Sequence, residues 1–203
     1  MDEKEFFSQL QELIAEEDDA KTEIFLKKYL AWADRNQKYD FYVVICQNLI
    51  SLYRSEKSYE KASDVGEDML MLMEELHMED ETAYADALVS VAAVCRESGK
   101  AQEAAELYKK AQPVFENAGD EAAKDLAYME LLLGLGECGV LLGNSEDALH
   151  AYEQAAGLIQ SQYGKNEAYR VVTANCAAIC DTLKDPEKAA WFRRELTDEH
   201  DGE

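Results

Sequence analysis

The sequence predicts an all-α solenoid of about five antiparallel helix pairs, and three observations carry that expectation. Apolar residues recur with the helical period almost throughout, with no strand-like alternation of note. Only 2 prolines and 10 glycines occur among 203 residues, which suits long uninterrupted helices, since either residue is costly inside one. Short polar breaks recur at 16–19, 35–38, 55–58, 77–81, 98–100, 117–120, 143–145, 163–166 and 184–186. They divide the chain into about ten helices of roughly three to five turns joined by short loops.

Several breaks carry their own chemistry. Gly99 and Gly143 stand where a helix must end sharply and a left-handed residue is needed. Asp185 is placed to cap the last helix, with Pro186 in its first turn, where a missing N–H costs nothing. Pro113 falls inside a helical segment and is expected to kink or shorten it. Gly134, Gly136 and Gly139 spell a dinucleotide-type G-x-G-x-x-G, but no strand precedes them, so the nucleotide reading lacks its context. Three glycines in one helix imply either the least stable helix of the chain or a bare backbone lying against a partner.

Internal repetition sets the architecture. A small residue opens the second helix of each pair, at Ala20, Ala62, Ala104, Ala148 and Ala189, and subtraction gives spacings of 42, 42, 44 and 41. Twelve residues earlier stand Ser8, Ile50, Ala92, Gly136 and Ala177; seven later stand Lys27, Met69, Ala111, Ala155 and Leu196. Tyr108 and Tyr152 each follow their alanine by four. Small residues let two antiparallel helices approach, while larger ones fill the space between successive pairs.

Composition excludes several classes of function. With 43 acidic against 20 basic residues the formal net charge is −23, which repels a phosphate backbone, so no nucleic acid is expected as a direct ligand. The acidity serves either solubility or a basic partner. No apolar run of about 18 residues occurs, so no membrane span is expected. The acidic start Met1-Asp2-Glu3-Lys4-Glu5 is unlike a secretory signal, and a cytoplasmic protein is expected. Cys46, Cys95, Cys138, Cys176 and Cys180 include no CxxC pair and read as reduced core residues. His77, His150 and His200 match no metal or triad spacing. With no catalytic motif either, the expectation is no enzyme, no cofactor and no metal.

The stretches Leu88 to Phe115 and Leu132 to Ile159 resemble the tetratricopeptide repeat (TPR) family. Both have its small first-helix residue, the inter-helix glycine, the second-helix alanine, the aromatic four later and the alanine seven later. The segment from Ile50 through Tyr59 and Ala62 is a weaker copy, and the spacing near 42 is similar to the longer repeats of kinesin light chains. Cys95, Gly139 and Cys180 depart from a usual tyrosine, and Gly66 and Arg193 from a usual aromatic.

The resemblance implies a right-handed superhelical solenoid. Residues 1–38 would form a capping pair or degenerate repeat, 39–198 the repeats, and 199–203 an acidic tail. It also implies that first helices line a concave, non-catalytic protein-binding groove. Its residues would be Gln47, Asn48, Ser51 and Arg54; Asp86, Val89, Ser90, Ala93 and Arg96; Glu130, Leu133, Glu137 and Val140; and Asn175. Val44, Gly134, Val171, Ala174, Ala178 and Asp181 complete it. Asn48 and Asn175 match asparagines with which the family holds peptide backbone, or are simply exposed polar groups. Arg54 and Arg96 would offer forked donors to a carboxylate. Apolar residues rimmed by acids suit a basic or amphipathic polypeptide, and Arg96→Glu or Leu133→Asp would abolish its capture without disturbing the fold. The competing reading is a homodimer through the end faces, using Phe6, Phe7 and Leu10 or Trp191 and Phe192.

Overall fold

The computed structural model describes residues 3–79, 81–119 and 126–197, and among these it contains ten α-helices and no strand. Met1, Asp2, Asp120, His200 and the acidic tail lie outside the described residues. The chain divides into two compact units, 1–78 and 79–203. Unit 1 holds α1 (Glu3–Ala15), α2 (Asp19–Arg35), α3 (Tyr39–Ser55) and α4 (Tyr59–Glu75). Unit 2 holds α5 (Thr82–Glu97), α6 (Ala101–Ala118), α7 (Leu126–Leu141), α8 (Ser145–Tyr163), α9 (Glu167–Thr182) and α10 (Pro186–Glu195).

One turn recurs within every pair. Its middle residue is left-handed: Glu17, Lys57, Gly99, Gly143 and Lys184 all have φ between 54° and 86°. In four of them the next residue closes the preceding helix with a six-to-one bond, as from Ser58 N to Tyr53 O at 2.8 Å and from Asp185 N to Cys180 O at 2.9 Å. That same residue is the N-cap of the following helix, so the turn leaves no slack. Asp185 also caps α10 through its side chain, accepting from Lys188 N at 3.0 Å, with Pro186 at the helix start.

These turns correct the repeat register at its beginning. Ala62, Ala104, Ala148 and Ala189 are fully buried and lie five residues after their left-handed residue. In the first pair that place belongs to Thr22, which is buried, whereas Ala20 is exposed. Leu10, Leu26 and Tyr29 accordingly take the core places expected of Ser8, the aromatic position and Lys27. A threonine fits because its hydroxyl donates to Asp18 O at 2.9 Å instead of being buried unpaired.

The structure also exposes a repeated tyrosine. Tyr42, Tyr84, Tyr128 and Tyr169 stand twenty residues before the buried alanines, near the start of each first helix from α3 onward. In two pairs the hydroxyl meets the residue twenty-six places on: Lys110 Nζ donates to Tyr84 Oη at 2.6 Å, and Tyr169 donates to Glu195 at 3.2 Å. Lys110 and Lys165 also sit over the rings of Tyr84 and Tyr169, at 5.0 and 5.8 Å from the centroids.

Unit 1 has a comparable anchor in Glu23, which accepts from Lys27 at 2.7 Å, Tyr53 at 2.7 Å and Lys61 at 3.3 Å, joining α2, α3 and α4. The hydrogen bond from Lys27, followed by that from Tyr53, holds the Glu23 carboxyl down at about 2. Folded Glu23 thus binds its proton less readily than the unfolded chain does. Its stabilisation is present above the ordinary carboxylate range and is lost as pH falls towards 2. Glu23→Gln should remove about 1–2 kcal/mol at neutral pH, after discount for solvent screening, and little near about pH 2. Urea midpoints of both proteins across that range test this; a constant difference at all pH values refutes it.

Pro113 does not shorten its helix, because α6 continues to Ala118. All five cysteines are buried and free. Burial pushes the Cys46 and Cys176 thiols up to about 12, so both stay protonated at neutral pH.

Candidate functional site

The three glycines of α7 have a steric explanation. A Cβ on Gly134 would lie 2.4 Å from the Tyr108 ring, one on Gly136 would lie 2.7 Å from the Tyr152 ring, and one on Gly139 would lie 2.8 Å from Ala148 Cβ. The bare backbone lies against this protein's own tyrosines and against α8, not against a partner. Gly134 is buried and drops out of the groove set.

Packing removes two more predicted groove residues. Unlike the other first helices of unit 2, α5 packs directly on the next first helix, α7, as well as on α6, and only Asp86 and Ser90 interrupt its apolar run from Ala83 to Cys95. Val89 and Ala93 are consequently buried in the interior. Ser90 is half-buried and donates to Asp86 O at 3.1 Å, and Asp86 is itself engaged.

The predicted cationic grip is occupied. Arg96, with only 18% of its side chain exposed, hydrogen-bonds and ion-pairs with Glu137, and also pairs with Glu97 at 3.7 Å. It therefore positions α5 against α7 and has no free fork for a partner's carboxylate. Arg54 is likewise engaged. Across the same face Arg193 neutralises Asp181. Two members of the predicted acidic rim, Glu137 and Asp181, are thus compensated internally, and Glu130 is half-buried and engaged.

An apolar strip remains on unit 2. Val140 and Val171 are 52% and 53% exposed, Leu133 is half-buried, and Ala174 and Ala178 are exposed on α9. Leu141, which the groove register missed, is exposed beside Val140. Asn175 is exposed here and shares a hydrogen bond with the buried Tyr152 hydroxyl, which burial pushes up to about 12.

In unit 1, Gln47 and Asn48 are half-buried and Ser51 is exposed on α3. Asn48 and Ser51 line a cleft of about 510 Å³ between α1, α2 and α3, with Leu10, Ile14, Leu26 and Leu52 supplying apolar surface. Asn48 spends an amide hydrogen on Val44 O at 2.7 Å, so it is not wholly free to hold a peptide. A smaller cleft of about 260 Å³ lies between α6 and α8 over Gly139, with Glu106, Lys109, Asp147 and His150 presenting both signs of charge.

At the ends of the chain the predicted contacts divide. Phe6 is buried in an aromatic cluster with Phe25, Tyr29 and Phe41, at centroid distances of 5.3, 4.9 and 4.8 Å. Leu10 and Phe192 are also buried, which leaves Phe7 and Trp191 as exposed aromatics at 46% and 48%. Among the described residues no group of three or more His, Cys, Asp or Glu could hold a metal, and no helix is long and apolar enough to cross a membrane.

Helix pairs with a small residue at their crossing and a left-handed turn between them define a TPR-like repeat fold, and comparison with solved structures agrees. The chain is similar to BtubC (BKLC) from P. vanneervenii, with TM-score 0.78 and 19% identity over 98% of this chain and 83% of that one. It is also similar to a putative kinesin light chain from Podosopora anserina with nearly identical TPR-like repeats, with TM-score 0.76 and 10% identity over 96% and 92% of the two chains. No protein-family model and no curated protein matches the sequence.

Proposed function

We propose that this chain is a non-catalytic scaffold that binds a polypeptide on its first-helix faces, and that it works in the cytoplasm. One observation carries the reading. Val140 and Val171, on the first helices of adjacent pairs, keep about half of their surface in water, and Leu141, Ala174 and Ala178 are exposed on the same two helices. Leu133 and Val140 on α7, and Val171, Ala174 and Ala178 on α9, each recur at helical spacing, which suits the apolar stripe of an amphipathic segment. Asn175 beside them supplies an amide for its polar flank. Since Glu137 and Asp181 are neutralised by Arg96 and Arg193, apolar contact supplies the affinity on this face.

Val140→Asp with Val171→Asp should abolish retention of the partner in an affinity capture, an effect of at least about tenfold if each valine buries its exposed half. Both side chains already face water, so helicity and Tm should stay within about 0.5 kcal/mol of the parent. Undiminished capture by this variant rejects the face. The competing reading is a homodimer through Phe7 or Trp191, the exposed aromatics at the chain ends. It predicts a dimeric mass in light scattering that Phe7→Ala or Trp191→Ala abolishes.

A further inference from the structure

In unit 2 the space between α5 and α7 is closed by direct packing, with Val89 and Ala93 inside; in unit 1 the corresponding space between α1 and α3 is an open cleft of about 510 Å³. We propose that this cleft receives a lysine or arginine side chain of the partner polypeptide, its aliphatic stem on Leu10, Ile14 and Leu52 and its cation against Glu17 and Asp19. The inference rests on the reading that the partner is a polypeptide.

Three features of the lining select that occupant. Its floor is apolar, and Ile14 stays 57% exposed, as the hydrocarbon stem of a long cationic side chain requires. Two of its hydroxyls have turned their hydrogens onto backbone, Thr22 onto Asp18 O at 2.9 Å and Ser55 onto Leu52 O at 2.7 Å, and Asn48 spends one of its two amide hydrogens on Val44 O at 2.7 Å. Thr22 and Ser55 are left with acceptor oxygen, and an ammonium or guanidinium is a donor without acceptors. Lastly, the acids at the mouth divide into two sets. Glu16 and Asp18 hold Lys21 at 3.5 and 2.9 Å, whereas Glu17 and Asp19, which line the cleft, have no ion pair among the described residues. The left-handed turn at Glu17 places that carboxylate beside the first turn of α2.

The test titrates the ¹⁵N-labelled full chain with a synthetic amphipathic helix of leucine and lysine, about 14 residues long, at about 150 mM salt to screen the net charge. The amides of Ile14, Ser51 and Ser55 should shift. Glu17→Gln with Asp19→Asn should weaken binding about fivefold to tenfold, while Glu60→Gln with Asp64→Asn, the same charge change on exposed α4 positions, should change it less than about twofold. Equal weakening by the two double variants overturns the cleft as a site. Shifts confined to α7 and α9, indifferent to Glu17 and Asp19, overturn the cleft and leave the apolar face standing. Cleft shifts that persist in the Val140→Asp, Val171→Asp variant support the cleft as a site in its own right. A peptide that shifts nothing overturns both.

Discussion

Gly139→Val should cost about 3 kcal/mol, while Gly157→Ala, on the neighbouring helix, should gain about 0.5–1 kcal/mol. Helix propensity favours both changes, so packing alone separates them. At Gly139 the first added carbon would already lie 2.8 Å from Ala148 Cβ and 3.0 Å from Ala148 N and Cα. Backbone cannot rotate away as a side-chain tip can, so α7 and α8 must separate along their length to admit a branched residue. At Gly157, an exposed position inside α8, nothing lies within 4 Å of the new carbon. There the substitution only restricts the unfolded chain and improves the helix. Urea denaturation of the two variants gives both signs in one experiment. A destabilised Gly157→Ala or a neutral Gly139→Val would contradict the packing of this pair.

The second large effect is expected at Arg96. Arg96→Glu should destabilise unit 2 by about 2–3 kcal/mol, because it removes the partner of Glu137 and sets a largely buried carboxylate beside Glu137 and Glu97. Glu137→Gln, which keeps a neutral acceptor in place, should cost about 1 kcal/mol. Thermal unfolding separates these cases, and an Arg96→Glu protein melting with the parent would show that the pair contributes nothing. The consequence for binding experiments is direct. Loss of partner capture in Arg96→Glu reports the fold, whereas loss in Val140→Asp with Val171→Asp reports the face.

Much of the fold was legible because repetition multiplies a weak signal. One alanine in an alanine-rich chain says little, but Ala62, Ala104, Ala148 and Ala189 agree with their turn residues and with their buried partners. The first pair escaped because Thr22 replaces the small residue and the nearby Ala20 mimics it two places earlier. Chain order could not show that a hydroxyl bonded to Asp18 O would serve as well as a methyl group. The tyrosines at 42, 84, 128 and 169 were visible in principle, but their partners lie across the pair rather than along one helix.

The candidate site was less legible, for a related reason. Spacing along one helix shows which residues share a face, not whether a second helix covers it. Val89 and Ala93 have groove spacing, yet α7 lies on them. The run from Ala83 to Cys95 did hold the warning, since only Asp86 and Ser90 interrupt it and a helix so apolar leaves little face for water. Arg96 and Glu137 are 41 residues apart, and nothing local to either announces the other.

The fit of tyrosine rings into α7 also bears on how such an array grows. Tyr108 lies against Gly134 of the next pair, and the equivalent ring, Tyr152, meets Asn175 of the pair after that. One junction is a knob against bare backbone; the other is a hydrogen bond. The pairs are therefore not interchangeable units. A side chain at position 134 would strike the Tyr108 ring, since its Cβ alone comes within 2.4 Å, so the α6–α7 junction depends on a glycine that the α8–α9 junction does without. Each junction carries its own key, and the order of the repeats is written into the shapes of their edges.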